Sequence, residues 1–137
     1  MKHCLLLLIF LITFSCTESY TEDEVVGVYT PIDYEKNYDT ITLLKNGHYN
    51  RKVYNLNKEM LLSMEGKWSF YNDNKNQIRL YSFYLNLDDD LKNNPSLVKD
   101  TSGTNLIVLE YINDNLGFCV GYFANQNCYQ KQSKSQN

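Results

Sequence analysis

Few side chains in this sequence have the types and spacing that chemistry needs. His48 stands beside Asn46-Gly47, a strong turn signal, so a Ser-His-Asp or Cys-His relay built on it would sit on a loop tip, exposed to water. Asp88-Asp89-Asp90 offers hard oxygen ligands but lacks the alternating carboxylates, central glycine and closing glutamate of a calcium loop. Asn72, Asn74 and Asn76 fail the same test, with Phe83 where the closing acid should stand. There is no Gly-rich phosphate loop, no Cys-x-x-Cys and no carboxylate pair whose spacing brings both groups to one site. The sequence therefore predicts no enzyme, no metal and no cofactor. What remains is aromatic: 12 Tyr and 6 Phe against a single Trp, rings that fill a core or grip an apolar or sugar-like ligand.

The elements that position these rings follow from composition and pattern. With 137 residues, 43% of them hydrophobic and 21% charged, the chain makes one domain and not two. A net charge of -3 argues against a nucleic-acid partner, which needs clustered Lys and Arg. Two Pro, six Gly and the aromatic excess favour strands over helices.

The first fifteen residues read as an address. Met1-Lys2-His3 is a short basic start, and residues 5–14 are apolar except for Thr13. A helix of that length is about 15 Å long, half of a hydrocarbon core of about 30 Å, so it suits a signal peptide and not a span. The run closes on Thr13-Phe14-Ser15-Cys16, which resembles the lipobox of bacterial lipoproteins. That resemblance implies cleavage after Ser15, acylation of Cys16, and attachment to a membrane through lipid alone. Residues 16–24, with Glu18, Glu22, Asp23 and Glu24, read as a solvated tether, residues 25–132 as the β domain and residues 133–137 as a polar tail. The acidic stretch resembles the surface-export signals of Bacteroidota lipoproteins, so the expected place is the outer membrane, facing the periplasm or the outside.

From residue 24 on, the alternation is mostly period two. Strands are expected over 24–30, 38–44, 48–56, 60–70, 77–87, 106–112, 117–123 and 128–131, with a long polar crossing over 88–103. The Lys45-Asn46-Gly47 turn decides one register: a three-residue loop with left-handed Gly47 pairs Leu43 with Tyr49 and Ile41 with Arg51, keeping Leu43, Tyr49 and Val53 on one face. In the fourth strand Met60, Leu62, Met64, Gly66, Trp68 and Phe70 share a face opposite Glu65, Lys67 and Ser69. The fifth is apolar on both faces, Ile78, Leu80 and Tyr84 against Tyr81, Phe83 and Leu85. About eight strands in hairpin order make an all-β antiparallel up-and-down meander, curled into a small barrel or a strongly curved sheet.

Gly27-Val28-Tyr29, the Asn-Gly hairpin, Glu65-Gly66-Lys67-Trp68-Ser69-Phe70, Ile78-Arg79-Leu80 and Cys128-Tyr129-Gln130-Lys131 resemble, in that order, the lipocalin-like small lipoproteins of Bacteroidota. The resemblance implies a barrel and no catalytic residue. Asp39-Thr40-Ile41 resembles the three-residue O-glycosylation site of Bacteroidota envelope proteins. Export would place Cys119 and Cys128 in an oxidising compartment, where they either form a disulfide or stay as two buried thiols.

Two functions compete. A binding module would hold a small apolar or glycan-like ligand in a cavity of about 300 Å³ or more, with Tyr71, Tyr81, Tyr84 and Tyr122 as the contacting rings. An interaction module would have a filled core and present an aromatic patch or a sheet edge to an envelope protein.

Overall fold

The computed structural model describes residues 19–33, 37–72, 76–85, 103–121 and 126–133. Cys16, Tyr122, Asn74 and the Asp88-Asp89-Asp90 run lie outside the described residues. The fold is all-β. One helical turn, α1 (Glu22–Val25), precedes β1 (Gly27–Pro31), β2 (Asn37–Leu43), β3 (His48–Asn55), β4 (Met60–Tyr71), β5 (Gln77–Tyr81), β6 (Thr104–Val108), β7 (Glu110–Ile112), β8 (Asn115–Cys119) and β9 (Cys128–Lys131). All nine strands join one antiparallel sheet in the order β6-β5-β4-β3-β2-β1-β9-β8-β7.

The two ends of that order are adjacent in the chain, separated by Leu109 alone. This is what nearly closes the sheet into a barrel. The strand expected over 106–112 is in fact two: Ile107 pairs with Ile78 in β5, and Tyr111 pairs with Leu116 in β8. The change of partner at Leu109, whose N–H donates to the Asn76 carbonyl at 2.8 Å, brings the two ends of the sheet near each other. Among the described residues it also raises the strand count from the expected eight or so to nine.

The turn after β2 has the expected register. Leu43 pairs with Tyr49 and Ile41 with Arg51, and Gly47 takes φ +74°. In β4 the expected face holds for Leu62, Met64 and Trp68, which are buried while Ser63, Glu65 and Lys67 are exposed. Met60 departs from it and is exposed, because it lies at the strand's first residue beside the bulge at Val53/Tyr54. Gly66 is flat for a reason: the Tyr49 ring lies over it.

Two further expectations are corrected. The strand over 77–87 stops at Tyr81, since Ser82 adopts φ +54° and resets the alternation. Phe83 thereby turns into the core instead of sharing an outer face with Tyr81. At the start of the domain, the tether expected over 16–24 is docked from Ser19 onward, and residues 24–30 begin with a helical turn and not a strand. Thr21 and Glu24 form a reciprocal capping box, Val25 is fully buried, and Tyr20 packs edge-on against Tyr111 at 5.7 Å. Ser19 shares hydrogen bonds with Asn72, and the Asn76 side-chain oxygen accepts from Tyr20 N–H at 3.3 Å. Asn72 and Asn76, two of the asparagines weighed as cation ligands, thus hold the N-terminal segment against the barrel. The Thr21-x-x-Glu24 spacing announced this turn; the run of carboxylates obscured it.

Candidate functional site

The barrel interior carries a charge pair. Alternation puts Tyr49, Arg51 and Val53 on one face of β3, and Asp39, Ile41 and Leu43 on the same face of β2. Arg51 is 1% exposed and Asp39 6%. Arg51 Nε donates to Asp39 Oδ1 at 3.0 Å and Nη2 to Oδ2 at 2.5 Å. The second guanidinium arm, Nη1, donates to the Tyr84 carbonyl, and the ring of Phe83 lies under the group at 4.6 Å. Tyr129 Oη donates to Asp39 Oδ2 at 2.6 Å. Burial disfavours the guanidinium charge, but the Tyr129 oxygen and the Asp39 carboxylate outweigh it and hold Arg51 above its ordinary value. Burial likewise drives the Tyr129 phenol upward, so it serves as a neutral donor. Charge and donors are satisfied inside the protein, as a buried pair requires.

Aromatic packing occupies the neighbouring space. Tyr29 lies 5.0 Å from Phe118, Phe118 stacks on Tyr129 at 5.5 Å, and Tyr49 meets Phe83 edge-on at 5.8 Å. Tyr49 donates to the carbonyls of Tyr81 and Ser82, and burial pushes its phenol up to about 12. Tyr29 donates to the Val25 carbonyl at 2.6 Å, which fastens α1 to the core. These side chains pack together in the interior of the barrel.

The outer face of β4 and β5 is different. Ser69 pairs with Arg79 and Tyr71 with Gln77, so Lys67, Ser69 and Tyr71 lie beside Gln77, Arg79 and Tyr81 on one surface. The Arg79 guanidinium sits over the Tyr71 ring at 4.7 Å, and Ser69 Oγ lies 3.5 Å from Tyr81 Oη. Hydrogen bonds from Ser69, Tyr71 and Arg79 pull the Tyr81 phenol down to about 8. On the far side of Lys67, His48 pairs with it across β3.

The fold thus brings Tyr71 and Tyr81 together and leaves Tyr84 elsewhere, half-buried against the core with its carbonyl on Arg51. Cys119 and Cys128 face each other across β8 and β9 and are joined by a disulfide. Asp39 of the Asp39-Thr40-Ile41 match is committed to Arg51. A groove of about 430 Å³ beside α1 is lined by Tyr20, Tyr111, Leu116 and Lys131 among others. Among the described residues no group of His, Cys, Asp and Glu could hold a metal ion.

The two arginines are what the sequence reading missed. Arg51 was detectable from parity, standing between Tyr49 and Val53 on an inward face; Arg79 was detectable as the polar position between Ile78 and Leu80. No protein-family model, no curated protein and no solved structure matches the chain.

Proposed function

We propose that this chain is a membrane-anchored, lipocalin-like lipoprotein of the bacterial outer membrane, held by lipid on Cys16, and that it binds a small glycan-like ligand without catalysis. The observation that carries the binding reading is the outer face of β4 and β5, where Tyr71 and Tyr81 flank Arg79. These half-buried rings offer flat apolar surface to a sugar, while Ser69 and Gln77 supply hydroxyl and amide partners on the same face. The buried pair and its aromatic neighbours favour this outer surface over the barrel interior as the place for a ligand.

The test of binding is a glycan array probed with the full chain and with the Tyr71→Ala/Tyr81→Ala variant. Ring-dependent capture of a sugar supports the reading, and identical profiles for the two proteins reject it. The anchor is tested separately, by radiolabelled palmitate and globomycin. Label in the parent and none in Cys16→Ser is the expected result; no label in either removes the lipid.

A second reading has its own observation. Leu106 and Val108 are each 52% exposed on β6, next to Arg79 and Gln77. Apolar side chains beside an aromatic face suit an envelope protein partner. Crosslinking in membranes with a photoreactive group at position 106 would capture that partner, and a chain that crosslinks to nothing excludes it.

A further inference from the structure

Resting on the glycan-binding reading, we propose that the outer face of β4 and β5 selects an acidic sugar, with Arg79 receiving its carboxylate and the rings of Tyr71 and Tyr81 supporting the sugar faces on either side. The argument is charge placed against geometry. The protein is net negative, yet Arg79 and Lys67 project from the same outer surface of adjacent strands, and His48 extends the row. Among the described residues of β3, β4 and β5, Glu65, opposite Asn50, is an acid on that surface. It lies two positions beyond Lys67, farther along the strand from Arg79.

Among the described residues, no carboxylate pairs with Arg79. Its guanidinium lies over the Tyr71 ring at 4.7 Å, and its ladder partner Ser69 has its Oγ 3.5 Å from the Tyr81 hydroxyl. Contacts of that kind fix the fork without neutralising it. A planar guanidinium held in this way is pre-organised for two parallel hydrogen bonds to a carboxylate.

The class of ligand follows from the strands. β5, which carries Arg79, is hydrogen-bonded to β4 on one side and β6 on the other, so an acidic peptide cannot be added as a strand beside Arg79. What the face offers is flat rings, one fixed cation and short polar groups, which suit a ring-shaped, hydroxyl-rich anion better than an extended backbone.

The experiment titrates the full chain with a panel of galacturonate, glucuronate and mannuronate oligosaccharides, each beside its methyl ester, which keeps the sugar and removes the charge. The acids should bind about tenfold or more tightly than their esters. Arg79→Gln should erase that difference while leaving the circular-dichroism spectrum unchanged, and Tyr71→Ala should weaken acid and ester alike. Equal, ring-dependent binding of acids and esters overturns the acidic-sugar inference and leaves the glycan reading standing. Failure of the whole panel, charged and esterified, overturns both. A poly-glutamate peptide that binds as well as the acids, through Arg79, overturns the sugar class and shows a cationic patch alone.

Discussion

Arg51 and Asp39 are joined inside the barrel by two near-parallel contacts, Nε to Oδ1 at 3.0 Å and Nη2 to Oδ2 at 2.5 Å. They are not directly opposite each other on the ladder. Asp39 pairs with Val53 and Arg51 with Ile41, so the contact is diagonal across β2 and β3 and draws two rows of the sheet together. Through Tyr129 it also reaches β9, and through the Tyr84 carbonyl the segment after β5.

Removing one partner of this pair leaves the other charge buried with no counter-ion, which costs about 3–5 kcal/mol, a large part of the roughly 5–15 kcal/mol that holds a domain of this size. Asp39→Leu and Arg51→Met should each lower the urea midpoint sharply. The double variant Asp39→Leu/Arg51→Met should recover most of the loss, because two apolar side chains need no partner. Single variants within about 1 kcal/mol of the parent would show that water reaches the pair, contrary to its burial.

The sequence carried the strand period, the Lys45-Asn46-Gly47 register and the inward face of β4, since each rests on local alternation or on one residue's backbone freedom. It did not carry the split at Leu109. Residues 106–112 read as an unbroken β-prone run, and the change of partner depends on where β5 and β8 lie in space. The outer site was half legible. Tyr71 and Tyr81 stood out as rings, but the Arg79 between them was lost in a run read only for its apolar members. Ser82 hid the fate of Phe83, because a left-handed serine has no strong signature and parity was carried straight through it.

Gly66 makes room for Tyr49. A methyl group on Gly66 would come within 2.4 Å of the Tyr49 ring, and that ring is held in place by its hydroxyl on the carbonyls of Tyr81 and Ser82 at 3.0 and 3.1 Å. Gly66→Ala should therefore destabilise by about 1–3 kcal/mol, the cost of overpacking. Gly47→Ala meets only the Trp68 carbonyl at an ordinary 3.5 Å, so its cost is the left-handed backbone alone, about 1 kcal/mol. Thermal denaturation of both variants should rank Gly66→Ala as the more damaging, and the reverse order would mean that the Tyr49 ring swings aside.

The bond between Cys119 and Cys128 closes a short loop between paired strands. With a sequence separation of 9, the chain-entropy model gives roughly 2.7 kcal/mol of stabilisation. Reduction should raise the intact mass by about 2 Da, one hydrogen per sulfur, and lower the melting temperature in step with Cys119→Ser/Cys128→Ser. An unchanged mass on reduction shows two free thiols. An unchanged melting point shows that β8 and β9 hold the loop without the bond.

Tyr81 should titrate before the buried tyrosines Tyr29, Tyr49 and Tyr129. Ser69, Tyr71 and Arg79 hydrogen-bond to its oxygen and bring the phenol from its ordinary 10.0 to about 8. The folded form then releases its proton earlier than the unfolded chain does. Between these two values the unfolded state binds more protons, so stability from this group rises with pH across the window and vanishes as pH falls below about 8. Phenolate absorption should show a first step near that pH, and Tyr81→Phe should remove it. Arg79→Gln should move the step upward without removing it, because Ser69 and Tyr71 stay in place. If the first step survives in Tyr81→Phe, the lowered phenol belongs to another tyrosine, and the cation between the two rings is not tuning Tyr81.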